Sequence, residues 1–218
     1  MICVRDISVG YGPKILCSGV SFDLAPGETV VLTGANGSGK TTLLRQLATM
    51  EDLPQTVLVP TGIPKVKGFT LREFLRTACY ALSNWRGRLD AAGEKAIGDA
   101  LDLLEIRDLE DHDISTLSDG EFQKGCIAVA LVRQASLLLL DEPTAFLDVE
   151  NRLLVLRTLH DVARRTGISV LFSSHDIPDA LTVADRVFAI TADGRFVASD
   201  TTAASKENAV RAAFPRSF

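Results

Sequence analysis

The chain has 218 residues, 46% hydrophobic and 23% charged, which suits one sizeable folded core and excludes a disordered polymer. Its net charge of −5 comes with no basic block, so a nucleic-acid partner gets no support, and no apolar run approaches the ~20 residues of a membrane span. Cys3, Cys17, Cys79 and Cys126 stand far apart without a Cys-x-x-Cys pair and read as reduced thiols.

The first residues lack the apolar stretch of a signal peptide, so a soluble protein is expected whose membrane contact, if any, runs through a partner. Residues 2–9 alternate loosely and predict a strand, Gly10-Tyr11-Gly12-Pro13 a turn, and residues 14–22 a second strand before the turn at Ala25-Pro26-Gly27-Glu28. Together they predict a small antiparallel sheet beside the strand that follows. Tyr11, in the first turn, offers either a half-exposed turn side chain or a flat face for a base.

Residues 29–33 form a β-branched run suited to a buried strand, and residues 34–41 then match G-x-x-x-x-G-K-[ST] in full. Leu43, Leu44 and Leu47 follow at helical spacing, so the order is strand, glycine loop, helix. Gly34, Gly37 and Gly39 let the backbone turn tightly and aim N–H groups inward, and the helix start adds its positive dipole end. Lys40 is placed to reach β- and γ-phosphates, and the Thr41 hydroxyl suits Mg²⁺. A nucleoside triphosphate is the expected ligand.

Residues 55–60 predict a short strand and residues 61–68 a loop. Thr70 and Glu73 form a capping box, after which Leu71, Phe74, Leu75, Ala78, Cys79 and Leu82 repeat at helical spacing. Ile97, Leu101 and Leu104 repeat the pattern, so residues 61–135 read as a helical lobe inserted in an α/β core made of residues 1–60 and 136–200. Residues 105–113 are a charge-dense link, read as a solvated loop that takes His112 with it. Leu117-Ser118-Asp119-Gly120-Glu121 opens a helix over residues 122–133, with a small hydroxyl and a glycine at its start.

Leu137 to Leu140 predict a buried parallel strand, which delivers Asp141 and Glu142 to the end of the sheet where open α/β folds bind ligands. Asp141 suits Mg²⁺, and Glu142 suits the role of general base toward water. A helix is expected over residues 150–165, with Leu153, Leu154, Leu156, Leu159 and Val162 inward, His160 on its flank and Gly167 ending it. Residues 168–173 predict another buried strand that carries His175 to the same end. Residues 186–198 read as a strand pair turned at Asp193-Gly194, and residues 201–218 as a short polar tail.

This order of motifs resembles the ATP-binding cassette (ABC) ATPases over nearly the whole chain. The resemblance implies an α/β P-loop fold with a small antiparallel β subdomain and an inserted α-helical subdomain, the whole forming one ABC ATPase domain. It implies that Tyr11 lies under adenine and that Gly34, Asn36, Gly37, Ser38, Gly39, Lys40, Thr41 and Thr42 hold ATP. Asp141 and Glu142 match the Walker B acid and catalytic glutamate, and His175 the switch histidine. Residues 117–121 look like the family signature, so Ser118, Asp119, Gly120 and Glu121 would act in trans on a nucleotide held by another chain's Lys40. Asp148 matches the loop that crosses to that partner. The implied assembly is a homodimer or heterodimer of ATPase subunits, with ATP and Mg²⁺, on integral membrane permease subunits, peripheral to the cytoplasmic face of the cell membrane. The forms L-S-D-G-E and D-E-P-T-A-F-L-D are similar to importers of iron–siderophore, haem or cobalamin.

Two features depart from the family pattern. Thr61 stands where the family usually has a glutamine that senses Mg²⁺ and γ-phosphate, and the interval from Lys40 to Thr61 is short, as if a hairpin were trimmed. The Thr61 hydroxyl can hold a water or metal, but more weakly than an amide. Three readings follow: a transporter ATPase, a soluble ABC ATPase without transport, and a nucleotide-gated module with little hydrolysis. The acidic balance weighs against the second, and Thr61 motivates the third.

Overall fold

The computed structural model describes residues 1–78 and 91–214. Cys79 and Leu82 lie outside the described residues.

Two strands open the chain. β1 (Ile2–Tyr11) and β2 (Lys14–Leu24) pair antiparallel as expected, from Ile2 opposite Leu24 to Tyr11 opposite Lys14. The central strand β3 (Thr29–Gly34) is buried at every position and runs into α1 (Lys40–Ala48). β4 (Thr56–Val59) follows, then α2 (Leu71–Ala78), α3 (Ala91–Leu103) and α4 (Asp119–Val132) of the helical segment. β5 (Leu137–Leu140), α5 (Val149–Thr166), β6 (Ser169–Ser173), the short α6 (Ile177–Leu181), β7 (Arg186–Ile190), β8 (Phe196–Ala198) and α7 (Ala203–Ala213) complete the order.

The main sheet has the order β4-β5-β6-β3-β7-β8, with every pair parallel except β7 and β8. Side chains alternate across its two faces, as the period of two demands. Val31, Leu138, Leu140, Val170 and Phe172 join the core shared with α4 and α5. Val30, Leu32, Leu137, Leu139 and Leu171 join the core under β1, β2 and α1. The four leucines of β5 are fully buried, which is why that run reads as continuous rather than alternating; each contributes roughly 1.5–3 kcal/mol of burial.

In the helical segment, Phe74 and Phe122 stack at 5.6 Å between ring centroids. Arg72 reaches Glu94 at 2.9 Å and also pairs with Glu110. The Thr70 capping box is present: the Thr70 N–H donates to Glu73 at 2.9 Å and the Glu73 N–H donates to the Thr70 hydroxyl at 3.2 Å. The charged link at 105–113 is therefore tied to α2 rather than free in solvent, since the Leu71 N–H also donates to the His112 carbonyl at 3.0 Å.

Three expectations change. The expected polar tail contains α7, capped by Thr202 and burying Ala209, Val210 and Ala213 against the sheet; small alanines leave a weak apolar pattern, but they let a helix approach closely. In α5 the inward face includes Val155, whereas Leu154 is 47% exposed. His160 is half-buried rather than on the surface, and its Nδ1 is buried with no partner among the described residues. Gly167 ends α5 in the left-handed region, as expected, with φ 79°.

Candidate functional site

β5, β6 and β3 are adjacent and parallel, so whatever follows each strand emerges at one edge of the sheet. The glycine loop follows β3, Asp141 and Glu142 follow β5, and Ser174 and His175 follow β6. Topology alone therefore gathers segments separated by more than half the chain.

Glycine is required at two loop positions. A Cβ on Gly34, at φ 152°, would stand 2.6 Å from the Ile190 carbonyl and 2.7 Å from Ser38 Oγ. Gly39 caps α1 at φ 109°, with the Leu16 Cβ only 3.2 Å from where its own would be. Lys40 is 9% exposed and folds back on the loop, donating to the Gly34 carbonyl at 2.8 Å and the Ala35 carbonyl at 3.3 Å. Burial holds its pKa below the ordinary lysine value, against the pull of Glu142 and Asp141. The Ser38 hydroxyl is buried with no partner among the described residues.

A cavity of about 370 Å³ lies over this loop, lined by Tyr11, Leu16, Asn36, Gly37, Gly39, Lys40, Thr41, Thr42 and Glu142. Tyr11 is 59% exposed at its rim, with the Lys14 ammonium 5.8 Å from the ring centroid. Ser118, Asp119, Gly120 and Glu121 do not line this cavity.

The Thr41 hydroxyl lies 2.8 and 3.1 Å from the two Asp141 carboxylate oxygens. A hydroxyl and a carboxylate that close form a hard, all-oxygen donor pair, which fits Mg²⁺ better than a softer ion. Thr61 Oγ1 donates to the Asp141 main-chain carbonyl at 2.5 Å. Ser173, fully buried, was missed by sequence reasoning: its hydroxyl donates to Asp141 Oδ1 at 2.8 Å and accepts the Glu142 N–H at 2.8 Å. The signal available was a serine at the C-terminal end of a buried strand, beside the acids that end β5.

Glu142 has φ 50°, unusual for a residue with a side chain and of the kind that clusters at functional sites. Its Oε2 lies 2.8 Å from His175 Nδ1. A carboxylate and an imidazole so placed can exchange a proton or jointly orient a water.

Ser118 caps α4: the Glu121 N–H donates to its hydroxyl at 3.2 Å, and its own N–H donates to the Glu121 carboxylate at 2.8 Å. Those bonds hold the Glu121 carboxyl below its ordinary range. Asp148 caps α5 through Asn151, whose side-chain amide returns to it at 3.0 Å, and its carboxyl is likewise held low. Asn151 Oδ1 lies 3.2 Å from where a Gly120 Cβ would stand, so the starts of α4 and α5 touch. Phe146, 87% exposed, and Val149, 62% exposed, flank Asp148.

A complete glycine loop on a parallel α/β sheet, with an acid pair and a histidine at the same edge, defines a P-loop nucleoside-triphosphate site. The ABC transporter family model matches residues 17–145. The aliphatic sulfonates import ATP-binding protein SsuB of Mycobacterium sp. (strain MCS) is 36% identical over 223 residues, spanning 100% of this chain and 86% of its own. The petrobactin import ATP-binding protein FpuC of Bacillus anthracis is 28% identical over 211 residues, 87% of this chain and 78% of its own. A solved metal-chelate type ABC transporter in an inward-facing conformation superposes with a TM-score of 0.87 at 24% identity, covering 98% of this chain and 88% of that one, a likeness of fold. The chain belongs to the ABC transporter family and is an ATP-binding, ATP-hydrolysing subunit of such a transporter. No helix among the described residues is long and apolar enough to cross a membrane.

Proposed function

We propose that this chain powers import, working as a head-to-tail pair of ATPase subunits docked on membrane permease subunits at the inner face of the cell membrane. The observation that carries the catalytic part is the meeting of Lys40, Thr41, Asp141, Glu142 and His175 at one sheet edge, four of them joined in two pairs, Thr41 with Asp141 and Glu142 with His175, by hydrogen bonds of 2.8 Å. Import is supported by the names of the relatives, which are import ATP-binding proteins. Those names divide between sulfonates and petrobactin, so the class of cargo is left to the permease.

In this reading Tyr11 stacks on the base, and Lys40 releases the Gly34 carbonyl to take the β- and γ-phosphates. The loop N–H groups from Gly34 to Thr42, with Asn36 and Ser38, cradle the phosphate oxygens. Thr41 and Asp141 would hold Mg²⁺, which neutralises charge on the β- and γ-phosphates when bound. Glu142 accepts a proton from the attacking water, and His175 steadies Glu142 before turning to the γ-phosphate. Ser118, Asp119, Gly120 and Glu121 stand outside this chain's own nucleotide cavity, which supports their service to a partner's γ-phosphate, with Asp148 at the seam. Closure on ATP and opening after hydrolysis supply the stroke.

One observation bears on the rate of that hydrolysis. Thr61 spends its hydroxyl proton on the Asp141 carbonyl, which leaves it no donor for a nucleophilic water. Steady-state ATP turnover of the purified chain with Mg²⁺, beside Glu142→Gln, tests the assigned base. Turnover that collapses in the variant supports it; equal turnover in both removes Glu142 from the mechanism.

A further inference from the structure

The loop between β4 and α2 is held at several points. Thr61 binds the Asp141 carbonyl, Ile63 packs against the larger core, and the Gly68 N–H donates to the Asp113 carboxylate at 2.7 Å. Between these, Lys65 reaches across to the start of α4. Its ammonium lies 2.7 Å from the Leu117 carbonyl, 2.6 Å from Asp119 Oδ1 and 5.7 Å from the centroid of the Phe122 ring. Leu117 precedes the cap residue Ser118, and Asp119 follows it, so one cation grips both neighbours of the capping serine.

Stability is a poor reason for this contact. A cation beside a helix N-terminus meets the positive end of the dipole. Its partner Asp119 has a side chain 60% exposed, where an ion pair is screened and of small net value. What remains is geometry. Thr61 and Lys65, four residues apart, connect the main chain of Asp141 to the main chain flanking Ser118. A cavity of about 250 Å³, lined among others by Thr61, Lys65, Asp119, Phe122, Asp141 and Glu142, separates the two ends, so the loop is one link across an open space, beside the contact of Gly120 with Asn151.

We propose that Lys65 is a positioning residue: it sets the Ser118–Glu121 helix start relative to Asp141, and so transmits the state of this chain's nucleotide site to the edge offered to a partner. This rests on the head-to-tail reading above. The step is mechanical and breaks no covalent bond. When the Asp141 strand end shifts on nucleotide binding, Thr61 carries the loop, and Lys65 carries Leu117 and Asp119 with it. An apolar side chain of similar length keeps the stem over Phe122 but loses the grip.

The test uses the full chain with Lys65→Met and Lys65→Arg. Thermal midpoints and fluorescent-ATP affinity of the unpaired chain check folding and the glycine loop, and both are expected to stay close to the parent. Lys65→Met is expected to lower kcat about tenfold, with KM little changed, because a catalytic edge displaced by about 1 Å loses one to two decades. In a Glu142→Gln background it is expected to weaken ATP-dependent pairing by a similar factor, and Lys65→Arg to restore most of both. A double-mutant cycle with Asp119→Asn is expected to be strongly non-additive. Parental kcat and pairing in Lys65→Met overturn the proposal, as does a matched loss of thermal midpoint and ATP affinity, which marks a merely structural contact. Absence of both hydrolysis and ATP-dependent pairing in the unsubstituted chain overturns the head-to-tail reading itself, and this inference falls with it.

Discussion

His175 Nδ1 and Glu142 Oε2 stand 2.8 Å apart, and the Glu142 main chain is held at φ 50° with its N–H given to Ser173. The acid is thus fixed from both ends: its amide by Ser173 at the end of β6 and its carboxylate by His175, two residues further on. A side chain so constrained has little rotamer entropy left to lose when it aligns a water.

Glu142→Gln keeps the shape and the His175 contact but removes the base. ATP turnover is expected to fall about 10²–10⁴-fold while ATP affinity holds within about twofold, since a general base contributes mainly to the chemical step. Single-turnover hydrolysis beside equilibrium nucleotide binding checks both. A variant that hydrolyses like the parent would take the proton acceptor elsewhere.

Ser173→Ala removes a hydroxyl that serves Asp141 and Glu142 together. Leaving the Glu142 N–H without its partner is expected to lower thermal stability by about 1–3 kcal/mol and kcat by about tenfold or more. Ser173→Thr keeps the hydroxyl and should recover part of the kcat loss if the added methyl is accommodated. Equal kcat in Ser173→Ala and the parent would reduce the residue to packing.

Much of this was legible in the sequence because the signals are local. The glycine loop, the β5 leucines and the acid pair each declare their element within ten residues, whereas the adjacency of β5, β6 and β3 comes from the structure. Ser173 and Lys65 were not legible in the same way. Each acts on residues far along the chain, 31 positions in the one case and 52 in the other. No periodicity reports which distant backbone atom a hydroxyl or ammonium will find. α7 escaped for a different reason: alanine buries little area, so its inward face barely differs from a polar helix.

Lys40 gives a pH signature. Burial lowers its pKa from the ordinary 10.5, and a bound triphosphate, an anion beside the ammonium, raises it again. The complex therefore binds more protons than the free chain in the alkaline range between those two values. Nucleotide affinity is expected to be full below the lowered value and to decline as pH rises through it. Lys40→Arg, charged throughout, should show no such decline, whatever its absolute affinity. Titration calorimetry from neutral to alkaline pH checks the slope, and a flat profile in the parent contradicts the burial of this ammonium.

Ser118→Ala removes the α4 cap and is expected to cost about 1 kcal/mol at neutral pH. The sign with pH follows from Glu121. Its carboxyl is held below the ordinary 4.5 by bonds from Ser118, so this stabilisation is present above that value and is lost as pH falls through the lowered one. Urea midpoints of parent and variant should therefore draw closer in acid, by the share of the gap that the Glu121 carboxylate supplies. A gap that persists unchanged at low pH would mean that the serine, not the reciprocal box, supplies the cap.

Arg152 ties α5 to the segment carrying His175. Its Nη1 lies 3.0 Å from Asp176 and 3.2 Å from Asp179, and Nη2 reaches the Leu147 carbonyl at 3.4 Å, while Nε is buried with no partner among the described residues. These carboxylates are only about a quarter to a third exposed, so screening is weaker than at an open surface. Arg152→Met keeps the stem, frees both acids and relieves the orphaned Nε. The two stability effects oppose, so the thermal midpoint should move by less than the roughly 1.5–3 kcal/mol that charged hydrogen bonds alone suggest. The catalytic effect has no such compensation: Asp176 adjoins His175, and its release loosens the imidazole relative to Glu142. A kcat loss larger than the stability change predicts, with ATP affinity intact, is the expected outcome, and parallel losses in all three would make Arg152 a packing residue.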